Sequence, residues 1–164
     1  MNTKVIKSLI LVGAVLVLAA VNFAIFGKER IRRDGEVVYL SLAPVDPRSL
    51  MQGDYMALRF ALAQQIESAD KQGDHAAREG EVRYADVTFD ASRIATLAPP
   101  AASGKLKLRY RIREGRVWLG TNAFFFEEGT ADRFSHARYG EFRVDPTTGE
   151  AVLVGLRGEK LEAL

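Results

Sequence analysis

The chain has 164 residues, 27% of them charged, a formal net charge of +2 and no cysteine. That length holds one ordinary domain beside a short accessory segment. The near balance of charge leaves no electrostatic footprint for a nucleic-acid partner, and the lack of cysteine excludes disulfides, thiolate metal sites and cysteine nucleophiles.

Between Lys7 and Lys28 runs SLILVGAVLVLAAVNFAIFG, 20 residues without a charged side chain. At about 1.5 Å rise per residue this spans roughly 30 Å, the thickness of a bilayer hydrocarbon core. A core helix of a soluble protein needs a polar outer face, and here Asn22, near one end, is the only strongly polar interior group. A cleaved leader has a shorter apolar run and a small-x-small cleavage site. Leu18-Val-Ala20 and Asn22-Phe-Ala24 match that pattern poorly, so the segment is read as a retained signal anchor. The expected division is a tail over 1–7, an anchor over 8–27, a juxtamembrane linker over 28–35 and a β-rich domain over 36–164. Orientation is pulled both ways. Lys28, Arg30, Arg32 and Arg33 after the helix outnumber Lys4 and Lys7 before it, which favours a cytoplasmic domain. A short basic tail followed at once by an apolar run favours an extracytoplasmic one, the reading preferred here.

The domain opens with GEVVYLSL, where Val38, Leu40 and Leu42 alternate against Val37, Tyr39 and Ser41, a strand ended by Pro44 and Pro47. DYMALRFAL alternates again, with Met56, Leu58 and Phe60 on one side, and is expected to run into a short helix over 61–66. Residues 67–81 are polar, contain Gly73 and Gly80, and read as an exposed connection or a frayed helix. EVRYADVTFDASR is a strand of imperfect alternation, and TLAPPAASG, with Pro99 and Pro100, a loop. KLKLRYRIR alternates cleanly, Leu106, Leu108, Tyr110 and Ile112 inward, and turns at Glu114-Gly115 into RVWLGTNAFFF as its hairpin partner. A second hairpin, EFRVDPTTGEAVLVGLRG, turns over 146–149. The fold class expected is mainly β (α+β): one N-terminal transmembrane helix, then a small antiparallel sheet folded on itself with one or two short helices.

APVDPRSLMQGDYMALRF resembles the signature of the GDYXXLXY family of membrane-anchored bacterial proteins, with Gly53, Asp54, Tyr55, Leu58 and then Phe60 where the family has tyrosine. FFFEEGTADRFSHARYGEFRVD and the closing VLVGLRGE resemble the family's later blocks, so the likeness covers nearly all of the domain. The resemblance implies an anchor in the bacterial inner membrane and a domain of uncharacterised function. Because Phe60 lacks the hydroxyl, a role needing a hydrogen bond from that position is in doubt.

Asp46, Arg48, Gly53, Asp54, Tyr55, Leu58 and Phe60 are thus the candidate signature or binding residues. Turn chemistry accounts for several of them: Asp46 before Pro47 suits an Asx turn, and Gly53 can supply a positive φ. The functional alternative is a polar rim of Asp46, Arg48 and Asp54, with the planar fork of Arg48 suited to a carboxylate or phosphate. Ser49 before Gly53-Asp54, with Lys105 or Lys107 on a later strand, raises a Ser-Lys hydrolase, but both lysines sit on a polar strand face that would not lower a lysine pKa. His75 and His136 lack ligand-spaced partners, so no metal or other cofactor is expected. Glu127 and Glu128, adjacent in sequence, point apart on a strand and suit acid-base work poorly.

Arg133, Phe134, His136, Arg138 and Tyr139 mix bases with aromatics, yet read more simply as packed rings beside solvated cations. The five cations at alternate positions from Lys105 to Arg113 could meet anionic headgroups, acidic polymer or a partner, or could guard an exposed sheet edge. With an anchor, a compact polar signature and no catalytic constellation, the expectation is an accessory or binding domain. Its expected partners are the bilayer and another membrane protein, with a Ser49 hydrolase or a purely structural domain as alternatives.

Overall fold

A computed structural model of the protein describes residues 3–43, 51–52, 55–72, 78–99 and 104–164. Helix α1 runs from Thr3 to Asp34 without a break, and none of its apolar stretch is covered by the domain. It is long and apolar enough to be a candidate membrane span, as single-pass anchoring requires. Residues 28–34, expected as a linker, are its last two turns. They pack on the domain, with Ile31 buried, and the Gly35 N–H closes the helix on the Ile31 carbonyl at 2.8 Å.

The strands are β1 (Glu36–Ser41), β2 (Met51–Gln52), β3 (Tyr55–Ala57), β4 (Val82–Phe89), β5 (Ala95–Leu97), β6 (Leu106–Arg113), β7 (Arg116–Trp118), β8 (Ala123–Phe125), β9 (Tyr139–Val144) and β10 (Ala151–Arg157). Between them lie α2 (Ala61–Gln72) and the one-turn α3 (Ala131–Phe134). The strands form three sheets, in the orders β1-β9-β10, β2-β3-β8 and β5-β4-β6-β7, with every paired strand antiparallel. Isolated bridges from Tyr39 to Ile94 and from Leu42 to Phe60 stitch the sheets together. One antiparallel β system folded on itself with a pair of short helices is therefore the architecture, as the strand alternation predicted.

The core forms where the inward positions of these strands meet. Val38 and Leu40 of β1, Phe142 and Val144 of β9, and Val87 and Leu108 of the four-stranded sheet are wholly enclosed. Helix α2 adds Leu62 and Ile66, one turn apart on the same face. Burying such side chains contributes about 1.5–3 kcal/mol each before conformational entropy is set against it.

Several sequence expectations are sharpened or corrected. Of the two readings of the polar stretch from Glu67, the helical one holds as far as Gln72, and what the sequence did not foretell is that side chains of this helix accept hydrogen bonds from the sheet: Gln65 Oε1 takes the Leu97 N–H at 3.1 Å, Glu67 Oε1 the Val117 N–H at 2.9 Å, and Asp70 Oδ2 the Tyr110 hydroxyl at 3.1 Å. Part of the expected TLAPPAASG loop is β5, paired with β4 ahead of the prolines. The segment RVWLGTNAFFF is two strands in two sheets, since β7 pairs with β6 but β8 pairs with β3. The break falls at Gly120, whose φ is +75° and whose Cβ, were there one, would lie 2.7 Å from the Ala151 carbonyl oxygen. Strand β6 pairs with β4 over 106–111 but with β7 only over Arg111–Arg113, so Lys105, Lys107 and Arg109 have no β7 strand beside them.

Candidate functional site

The signature leaves β3 after Ala57, runs through Leu58, Arg59 and Phe60, and enters α2 at Ala61. The Leu58 N–H donates to the Asn122 carbonyl at 2.6 Å, and the Arg59 carbonyl accepts the Ala43 N–H at 2.7 Å. These two bonds hold the segment between the chain leaving β1 and the chain entering β8. Leu58 and Phe60 turn into the core, whereas Arg59 between them is exposed. The Phe60 ring meets Phe142 edge-on with centroids 5.2 Å apart, a geometry aromatic pairs favour. Its surroundings are apolar on that side, and it serves as a packing ring.

Beside this segment lies a cleft of about 130 Å³ between the signature, α2 and the β6–β7 hairpin. Leu58, Phe60 and Ala63 supply apolar wall, Arg59, Arg113 and Arg116 supply cations, and Gln64 and Asn122 supply amides. Glu67 also lines it, with its carboxylate held by the Val117 N–H. Trp118 closes one end: its indole N–H donates to the Gly120 carbonyl at 3.0 Å, and the Arg113 guanidinium lies 4.8 Å over its ring. The arrangement can grip a short segment bearing a carboxylate or amide against an apolar floor, since a guanidinium fork matches planar oxygen pairs.

A second polar cluster fixes the wall of this cleft. Asp70 accepts the Tyr110 hydroxyl and lies 3.6 Å from Arg83, which also binds Glu81 at 3.0 Å. Burial, and then the Asp70 carboxylate beside it, pushes the Tyr110 hydroxyl above its ordinary pKa. The group is a neutral hydrogen-bond donor that ties α2 to β6.

Of the candidate residues, Tyr55, Leu58 and Phe60 are placed, while Asp46, Arg48, Gly53 and Asp54 lie outside the described residues, as do Ser49 and His75. Tyr55 pairs across β3 and β8 with Phe125, the rings 5.8 Å apart. Lys105 and Lys107 are exposed, and Lys105 sits over the Phe89 ring, so neither has the burial that would make a lysine a base. His136 is exposed, with Nδ1 2.9 Å from the Ser135 hydroxyl, and Glu127 and Glu128 are solvated ahead of α3. Among the described residues no three His, Cys, Asp or Glu side chains converge as metal ligands. Phe134 is a core ring against Phe124 and Phe126, with Arg133 and Arg138 exposed around it. Glu67, Arg113, Arg116 and Trp118 escaped the sequence reading as a group because only the fold brings α2 to the hairpin.

The sequence profile of the GDYXXLXY protein family matches residues 17–156. The chain belongs to that family. The match takes in the second half of the apolar helix, the signature and both hairpins. No curated protein and no solved structure matches this GDYXXLXY protein significantly.

Proposed function

We propose that this GDYXXLXY protein is a single-pass inner-membrane accessory module that binds an extramembrane segment of another membrane protein in the cleft beside the signature. The observation that carries this reading is the cleft itself: signature residues Leu58 and Phe60 form its floor, and Arg59, Arg113 and Arg116 stand around it. Three arginines at a small, half-apolar cleft fit a partner segment that presents acidic or amide side chains. The short basic N-terminal tail supports an extracytoplasmic domain, and a reporter fused after Leu164 tests that side directly.

The test of binding is photocross-linking in native membranes, with a photoreactive residue at Arg59 or Arg116 and a control at exposed Lys160. The expected outcome is one membrane-protein adduct from both cleft positions, absent from the control, and lost from the Arg116 probe when Arg59→Glu is added. Adducts to lipid alone, or the same adducts from Lys160, sink the reading. A purely structural signature is the second reading, supported by the burial of Met56, Leu58 and Phe60. It requires that Arg59→Glu, on an exposed side chain, leave both fold and cellular phenotype unchanged.

A further inference from the structure

The outer face of the four-stranded sheet carries an unusual set of neighbours. Cross-strand register places Tyr84 beside Arg109, and Val82 beside Arg111, which in turn faces Trp118. Directly paired residues share a face, and the opposite face, with Ala85, Leu106 and Leu108, is the buried one. Tyr84 is 57% exposed and Val82 41%, so two apolar side chains stand in the open among arginines. Tyr and Val suit strands in water too, but here they stand interleaved with cations, the combination that a bilayer interface takes up.

The anchor places this face at that interface. Lys28, the first charged residue after the apolar run, forms an ion pair with Glu150, and Arg109 lies 4.0 Å from the same carboxylate. Around this contact is a hollow of about 230 Å³ lined by Lys28, Arg109, Arg111, Arg113, Trp118 and Glu150, four cations against one carboxylate. Arg111 and Arg113 have no carboxylate partner among the described residues. Lys28 sits at the end of a span whose length matches the hydrocarbon core, so the hollow lies at headgroup depth.

From this geometry we infer that the hollow binds the phosphodiester of an anionic phospholipid in the leaflet beneath the domain, with Val82, Tyr84 and Trp118 seated in the interface. The Arg111 and Arg113 forks, with Lys28, supply donors to the phosphate oxygens. The inference rests on α1 spanning the membrane and not on the identity of any protein partner.

Trp118 is the chain's single tryptophan, so its fluorescence reports on this site directly. The full chain is reconstituted in nanodiscs of phosphatidylcholine and phosphatidylglycerol, with a shallow acyl-chain spin label carried by one lipid or the other at equal mole fraction. Labelled phosphatidylglycerol is expected to quench Trp118 more strongly than labelled phosphatidylcholine, and the preference is expected to shrink as salt rises. A basic residue near an anionic surface is worth about fivefold in partition, so R111Q/R113Q should bring the two lipids close to parity. Equal quenching by the two lipids in the wild-type protein, or none by either, overturns the inference without recourse to any variant. Loss of the preference on adding inorganic phosphate, but not chloride of matched ionic strength, also overturns it, by assigning the hollow to a soluble anion.

Discussion

Glu67 holds one wall of the cleft, and its removal should be felt there first. Its carboxylate accepts the Val117 N–H at 2.9 Å, and Val117 is only 9% exposed, so water cannot easily replace the acceptor. A hydrogen bond to a charged group contributes about 1.5–3 kcal/mol, and an unsatisfied buried donor costs a similar amount. Glu67 is half-buried, which argues for the middle of that range, and Glu67→Ala should destabilise the domain by about 2 kcal/mol. Glu67→Gln keeps an amide oxygen at the same reach but loses the charge, and charge-assisted bonds are about twice as strong as neutral ones. That variant should therefore lose about 1 kcal/mol. For a domain of this size each kcal/mol moves the thermal midpoint by about 4 °C, giving shifts of about 8 and 4 °C. Melts of the full chain in detergent, followed by the emission of Trp118 next to the bond, would measure both. Cross-linking from Arg116 should fall in step as the hairpin loosens. A Glu67→Ala midpoint within about 2 °C of wild type would refute the reasoning, as would equal losses for Ala and Gln.

Three further outcomes follow from the same packing. Glu141 is 6% exposed on the central strand β9 and takes the Arg157 Nε–H at 2.6 Å, so Arg157→Met should cost about 3 kcal/mol by stranding the charge, with much of it recovered in E141Q/R157M; a double-mutant cycle in urea checks this. Asp145 accepts the Thr147 and Thr148 backbone N–H groups at 2.8 and 3.3 Å, and the Thr147 bond foremost holds its carboxyl below the usual range. A depressed carboxylate stabilises above its unfolded pKa and loses that contribution as pH falls through the folded one, so the stability difference between wild type and Asp145→Asn should shrink on acidification, measured as urea midpoints against pH. At Gly140 an added Cβ would meet Phe60 Cε1 at 2.9 Å and Leu153 Cδ1 at 3.1 Å. Gly140→Ala should thus cost about 1–3 kcal/mol, partly relieved by Phe60→Leu in the same chain, and additive losses would disprove the contact.

The parts of the fold legible in the sequence are those decided by burial alone. Strand β6 alternates between buried and exposed positions along its whole length, as its spaced Leu and Ile residues foretell, and its hairpin turns at Glu114 and Gly115 as expected. The later hairpin is equally plain, because Asp145 caps its turn with a local side chain. What escaped depends on distant partners. Glu67 and Asp70 look like solvent residues to any test of apolar periodicity, yet both spend their acceptors on strands about 40 to 50 residues away. The break between β7 and β8 hinges on the approach of Gly120 to Ala151, which no local pattern encodes. At the candidate site the sequence singled out Tyr55, Leu58 and Phe60 and marked the cations of β6, but the cleft needed Arg59 brought to Arg113, Arg116 and Trp118 by the fold. Even the lipid-facing cations were open to several readings until register set Tyr84 and Val82 among them.

The unbroken course of α1 connects the two proposed sites. Had residues 28–34 been a flexible linker, the domain could tumble above the membrane and neither face would have a fixed relation to the bilayer. Instead the helix carries on to Asp34, and at about 1.5 Å per residue its last seven residues rise only about 10 Å beyond the span. Ile31 is buried and the Arg143 guanidinium reaches the Gly35 carbonyl at 3.3 Å, so the helix end is fastened to β9 as well as continuous with β1. Where α1 spans the bilayer as proposed, the domain is thereby held close to the headgroups with one orientation. Arg113 and Trp118 line both the basic hollow and the signature cleft, so the hairpin that would rest on lipid is also the wall of the partner site. Binding at the two sites should consequently be coupled: an anionic lipid that fixes Arg113 over Trp118 also preorganises the cleft, lowering the ordering cost a partner segment must meet.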